Sequence, residues 1–134
     1  MVVRDSRRGM KTKGEIEAAI SEAIVHFFAI DYMGRGPKEA RTHINEDLIL
    51  VRLKGMLTPA EQQLAKTTEG VELIKKVRST IIDNAKAEFS RVITNATGVA
   101  VRDILTDISA DSGERIFVFI LDRNWGEELP RKGA

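Results

Sequence analysis

Two pairs of alternating segments constrain this chain most. Ala40, Thr42 and Ile44 alternate with Arg41, His43 and Asn45, and a Glu46-Asp47 turn leads straight into Leu48 to Lys54. Val99 to Ala110 and Arg115 to Leu121 repeat the arrangement around Asp111-Ser112-Gly113. Links this short join only antiparallel neighbours, so the chain holds two β-hairpins. Between them lie two segments of helical character. Thr58-Pro59-Ala60-Glu61 has the form of a capping box with proline at the first helical position, and the helix it opens is short, interrupted by Gly70. A longer helix then carries Val71, Ile74, Val77, Ile81, Ala85, Phe89, Val92 and Ala96 on one stripe and closes at Gly98.

A third helix precedes the first hairpin. Thr12-Lys13-Gly14-Glu15 is a second capping box, and Ile16, Ala19, Ile20, Ala23, Ile24 and Phe27 recur at three- and four-residue steps. The order α-β-β-α-α-β-β predicts an α+β fold: a two-layer sandwich with a four-stranded antiparallel sheet and helices on one face. At 134 residues this is one domain, over 12–122, with a basic arm at 1–11 and a polar tail at 123–134 that carries Trp125. Ile49, Val51, Ile104, Ile116 and Val118 are expected under the helices. Leu50, Arg52, Leu105, Phe117 and Phe119 are then expected on the open side, where Leu50, Leu105, Phe117 and Phe119 would form a homodimer interface.

Composition excludes more than it assigns. Net charge is +1, from 21 basic and 20 acidic residues, so nothing global calls for nucleic acid or an anionic membrane. Absence of cysteine removes thiolate catalysis and cysteine metal sites and agrees with a cytoplasmic setting. The best apolar run, Ala23 to Ile30, is interrupted by His26 and far below the ~20 residues of a membrane span. His26 and His43 have no ligand spacing, and Asp103 with Asp107 lacks a third donor, so no metal, cofactor or catalytic residue is expected. Arg115-Ile116-Phe117-Val118-Phe119 has the aromatic spacing of an RNA-stacking strand, but the strand order and the missing glycines argue against that use.

Gly34-Arg35-Gly36-Pro37 reads first as a structural corner after the first helix. Its permissive backbone next to Arg35 also has the ingredients of an anion site, although it follows a helix and so meets the wrong end of the dipole. A small-anion or nucleotide sensor using Arg35, Arg41 and Arg52 is the alternative to a non-enzymatic interaction module.

Thr-Lys-Gly-Glu-Ile-Glu at 12–17, Tyr-Met-Gly-Arg-Gly-Pro at 32–37, Leu-Ile-Leu-Val-Arg-Leu-Lys-Gly at 48–55, Leu-Thr-Pro-Ala-Glu at 57–61 and Thr-Asp-Ile-Ser at 106–109 stand in order along the chain. The pattern resembles the bacterial MpsC-like family, formerly a domain of unknown function and named for a sodium-translocating, membrane-potential-generating system. The resemblance spans roughly residues 12–121 and marks Gly34, Arg35, Gly36, Pro37, Leu57, Thr58, Glu61 and Asp107 as the family's recognisable core, with no role attached. It implies a soluble regulatory or accessory part of a membrane cation or bicarbonate transport system.

Overall fold

A computed structural model describes residues 12–32, 36–126 and 129. Helix α1 (Lys13–His26) starts at a complete capping box, in which Thr12 accepts from the Glu15 amide while the Glu15 carboxylate accepts from Thr12 N–H. It runs into a π-helical turn, Phe27–Tyr32. The wider turn lets the consecutive Phe27 and Phe28 both enter the core. Hairpin β1 (Glu39–Asn45) and β2 (Leu48–Lys54) follows. Then come the short α2 (Pro59–Leu64), the long α3 (Thr68–Thr97), and the second hairpin, β3 (Val101–Ile108) and β4 (Arg115–Leu121).

The sheet is antiparallel throughout, in the order β1-β2-β4-β3. The two hairpins thus join through β2 and β4, with α1 and α3 on one face. The α+β sandwich read from the sequence is the one observed. Helix α3 begins earlier than Gly70 predicts, because Thr67 caps it and Gly70 lies in its first turn. The glycine is required there: a Cβ would stand 1.7 Å from the Leu64 carbonyl oxygen, so α2 and α3 meet at the backbone. At the other end Gly98 takes φ 76° and its N–H caps Thr94.

Two expected faces are corrected. On α3 the buried stripe is Gly70, Ile74, Arg78, Ile82, Ala85, Phe89 and Ile93; Val77 is 49% exposed and Ile81 half-buried. An arginine inside that stripe hides it from a reading by hydropathy. On β4, Phe117 and Phe119 are fully buried against the helices, and Ile116, Val118 and Ile120 take the open side. The register fixes this, since Phe119 stands opposite Ile49 and Ile104, both core residues, and Val118 opposite Leu50 and Leu105. Every residue from Ile116 to Leu121 is apolar, so alternation alone cannot choose a face, and a one-residue slip inverts both. Phe117 and Phe119 are therefore core residues. Phe117 packs at 4.9 Å from Phe89 and stacks on Phe119 at 5.7 Å.

Trp125 and Leu129 also join the core, so the segment after β4 is not merely a polar tail. Gly126 donates to the Glu46 carbonyl at 2.8 Å, holding that segment against the β1–β2 turn. The arm at 1–11, and Gly34 and Arg35 of the glycine-proline corner, lie outside the described residues. Of that corner, Gly36 lies close to α1: a Cβ on it would stand 3.2 Å from the Val25 carbonyl oxygen. The next turn of chain enters the sheet where Lys38 N–H donates to the Lys54 carbonyl at 2.8 Å.

Candidate functional site

The sheet has one covered face and one uncovered face. On the uncovered face, cross-strand rows follow from the register: Asn45, Leu48, Ile120 and Asp103; His43, Leu50, Val118 and Leu105; Arg41, Arg52, Ile116 and Asp107. Aliphatic side chains fill the middle, and Leu105 is 53% exposed. The rim is charged, with cations on β1 and β2 partly answered by Glu39 and Glu114, and carboxylates on β3. Arg41 and Arg52 stand at one corner, beside Lys54, Glu39 and Glu114. Arg52 donates to Glu114 at 2.7 and 3.1 Å, and Arg41 to Glu39 at 2.9 Å. Asp103 and Asp107 lie on β3, with Lys75 reaching round to Asp107 at 3.6 Å.

Side-chain carboxylates occupy part of each sheet edge. Ile44, on β1, points its N–H outward and donates it to Glu17 of α1 at 2.7 Å. On β3 the outward amides of Ile104 and Ile108 are taken at 2.8 Å by the carboxylates of the preceding residues, Asp103 and Asp107. An incoming strand would have to displace a carboxylate at each. The face offers a larger continuous surface than these partly occupied edges.

Beneath the sheet lies a second polar centre. Glu61 closes the α2 capping box on Thr58, and its carboxylate also receives the Arg78 guanidinium, Nε to Oε2 at 2.8 Å and Nη2 to Oε1. Arg78 Nη2 further donates to the Met56 carbonyl at 2.8 Å. Burial pushes the Glu61 carboxyl up, but the Arg78 hydrogen bonds, the Thr58 N–H and hydroxyl, and the guanidinium charge outweigh it and hold it below its ordinary value of 4.5. Arg78 thus ties the Leu57-Thr58-Pro59 corner to α3, while Leu57 is buried in the core.

Arg115 differs. It heads the inward set of β4 and is 2% exposed. Its Nη1 donates to Thr106 Oγ1 at 2.8 Å, its Nε has no partner, and its guanidinium carbon sits 5.7 Å from the Phe117 ring centre. Desolvation, with the nearby Arg78 charge adding to it and Asp107 opposing, lowers its pKa from the ordinary guanidinium value to about 10. That corresponds to roughly 3 kcal/mol against holding the cation.

Of the residues singled out by sequence, Arg41, Arg52, Leu50 and Leu105 share the open face with Asp107, while Thr58, Glu61 and Leu57 gather at the α2 corner. His26 lies on α1 and His43 on the open face of β1. Arg78 and Arg115 were not singled out. Arg78 had a signal, a basic residue midway between Ile74 and Ile82 at four-residue steps. Arg115 had none, because a cation at the head of an all-apolar strand reads as its outward end.

Among the described residues, no helix is long and apolar enough to cross a membrane. The chain is 40% identical over 121 residues to the uncharacterized protein YbcI of Bacillus subtilis (strain 168), covering 90% of this chain and 97% of the relative. It is 26% identical over 99 residues to the uncharacterized protein YrhF of the same organism, covering 73% of this chain and 81% of that one. No solved structure matches. Residues 12–123, which include the open sheet face, the Arg78–Glu61 pair and Arg115, match the family described as Na+-translocating membrane potential-generating system (MpsC), and the chain belongs to that family.

Proposed function

We propose that the chain is a non-enzymatic interaction module that works as a homodimer, joined through the open face of its sheet, in the service of a membrane system that generates ion-linked potential. The observation that carries the dimer is the self-complementarity of that face. A two-fold axis parallel to the strands and midway between β2 and β4 lays β1 over the partner's β3 and β2 over the partner's β4 within each row. Arg41 then meets Asp107, and Leu50 meets Val118, in both directions, as an isologous contact demands. Four strands of this length present a face about 19 by 24 Å. That is about 460 Å² if flat, and side-chain relief brings it toward the about 600 Å² per partner at the lower end of specific interfaces. The family description supports the class of system served.

Sedimentation of the whole chain should give twice 14.9 kDa at micromolar concentration. Val118→Glu, which buries a carboxylate at the centre of the contact, should give a folded monomer. Asp107→Arg should weaken the dimer by about five- to tenfold, and adding Arg41→Asp should restore it. A wild-type monomer at tens of micromolar would end the reading. In cells lacking the gene, the potential read by a voltage-sensitive dye should be recovered by the wild type and not by Val118→Glu.

A further inference from the structure

A groove of about 330 Å³ runs between α3 and the edge strand β3. Ser79, Asp83 and Lys86 line it from the helix, Thr106 lines it from the strand, and Arg115 stands behind them. Buried cations are ordinarily answered by a carboxylate or by a full set of acceptors. Arg115 has neither: no ion pair reaches it among the described residues, Thr106 is its one hydrogen-bond partner, and its Nε is orphaned. The groove's own acid does not answer it, since Asp83 pairs with Lys86 at 3.4 Å near the mouth. At neutral pH the guanidinium keeps its proton. Asp107 acts on the guanidinium through space, with no bond to it, so what Arg115 lacks is a bonded counter-charge.

We infer that this groove binds a small oxyanion, a carboxylate or a phosphate, which accepts from the Arg115 guanidinium at its base and from the hydroxyls of Ser79 and Thr106 at its sides. Thr106 Oγ1 already accepts from Arg115, so its own hydrogen is free to be donated to the ligand. A guanidinium offers parallel donors to either a planar or a tetrahedral oxyanion. The groove borders the dimer face at Leu105, but the residues that hold the anion lie between helix and strand, not on the open side of the sheet.

The experiment uses the full chain in a chloride buffer at constant ionic strength, titrated with sodium phosphate and, separately, with sodium acetate. The melting temperature should rise saturably with one of them, by about 5 °C or more at saturation. In a parallel NMR titration the Arg115 Nε–H resonance should move with the same midpoint. Which anion acts distinguishes the tetrahedral from the planar ligand. Arg115→Met should abolish the response. Thr106→Val, which keeps the shape of the side chain, should weaken binding about fivefold or more. The inference fails if neither anion gives a saturable response in the wild type, or if Arg115→Met responds as the wild type does. Should that variant not fold, an Nε–H resonance that stays still under both anions is itself sufficient to overturn the site.

Discussion

Arg78 and Arg115 are withdrawn from solvent to the same degree, 2% exposed each, and lie near enough for one charge to depress the pKa of the other. Their surroundings differ in every other respect. Arg78 spends its donors on two carboxylate oxygens and a carbonyl, joining two helices and the loop before them. Arg115 makes one bond to a neutral hydroxyl. Equal burial therefore means opposite things: the first charge is part of the architecture, and the second is an expense the fold sustains for something else. The contrast is open to attack by substitution, because removing a paired charge and removing an unpaired one should move stability in different directions.

The largest effect is expected at Arg78. Arg78→Met leaves the Glu61 carboxylate half-buried without its counter-charge and the Met56 carbonyl without a donor. Unfolding by urea should show a loss of about 3–5 kcal/mol. A loss under 1 kcal/mol would mean that the pair is ornamental and that the contrast with Arg115 is empty.

Gly70→Ala comes next and attacks the same region through the backbone. Gly70 allows α3 to begin against the last carbonyls of α2, and that approach sets Arg78, about two turns further along, over Glu61. A methyl group 1.7 Å from the Leu64 oxygen forces the helices apart. The cost should be about 2–3 kcal/mol, against the usual gain of glycine to alanine within a helix. If the variant is stabilised, the helices do not meet as described.

Much of this was legible in the sequence, and the reasons for the rest are physical. Both capping boxes, the hairpins and the closing Gly98 are local chemistry, fixed within a few residues, and the order of elements followed from them. The facing of β4 was not legible, because Ile116 to Leu121 is apolar on both sides and only pairing with Ile49 and Ile104 settles which side is core. The same ambiguity set Phe117 and Phe119 on the wrong side of the sheet, although Leu50 and Leu105 stood where expected. At the buried centre, Glu61 was visible as a cap and silent as an ion-pair partner. Its partner sits far along the chain, on a stripe where an arginine argues against burial until the acid that receives it is in place.

Acid should separate the two arginines by a smaller amount. Glu61 has its carboxyl held below 4.5, so the stabilisation it gives is fully present above that value and fades as pH falls through its lowered pKa. Glu61→Gln should therefore be less stable than the wild type by about 1–2 kcal/mol from pH 5 to 8, and the gap should narrow below pH 4.5. Arg115 has no carboxylate partner and contributes no such acid limb, so Arg115→Met should follow the wild-type profile in this range. A gap for Glu61→Gln that stays constant down to pH 3 would show that the carboxylate charge is not what holds Arg78.

The smallest expected change is the one at Arg115 itself, in buffer free of oxyanions. Its lowered pKa places the cost of the cation in full below about pH 10, with relief only above it, where the folded chain sheds the proton before the unfolded one. At neutral pH, methionine keeps most of the side chain's volume, gives up one hydrogen bond to Thr106, and removes a desolvated charge that also repels Arg78. These terms oppose each other, so Arg115→Met should lie within about 1 kcal/mol of the wild type, on the stabilising side. Urea midpoints measured beside those of Arg78→Met decide it. A loss comparable to the Arg78 variant would make both arginines structural. A neutral or stabilised protein would leave a buried charge that folding does not need, which is the condition for the groove above it to have been kept for a ligand.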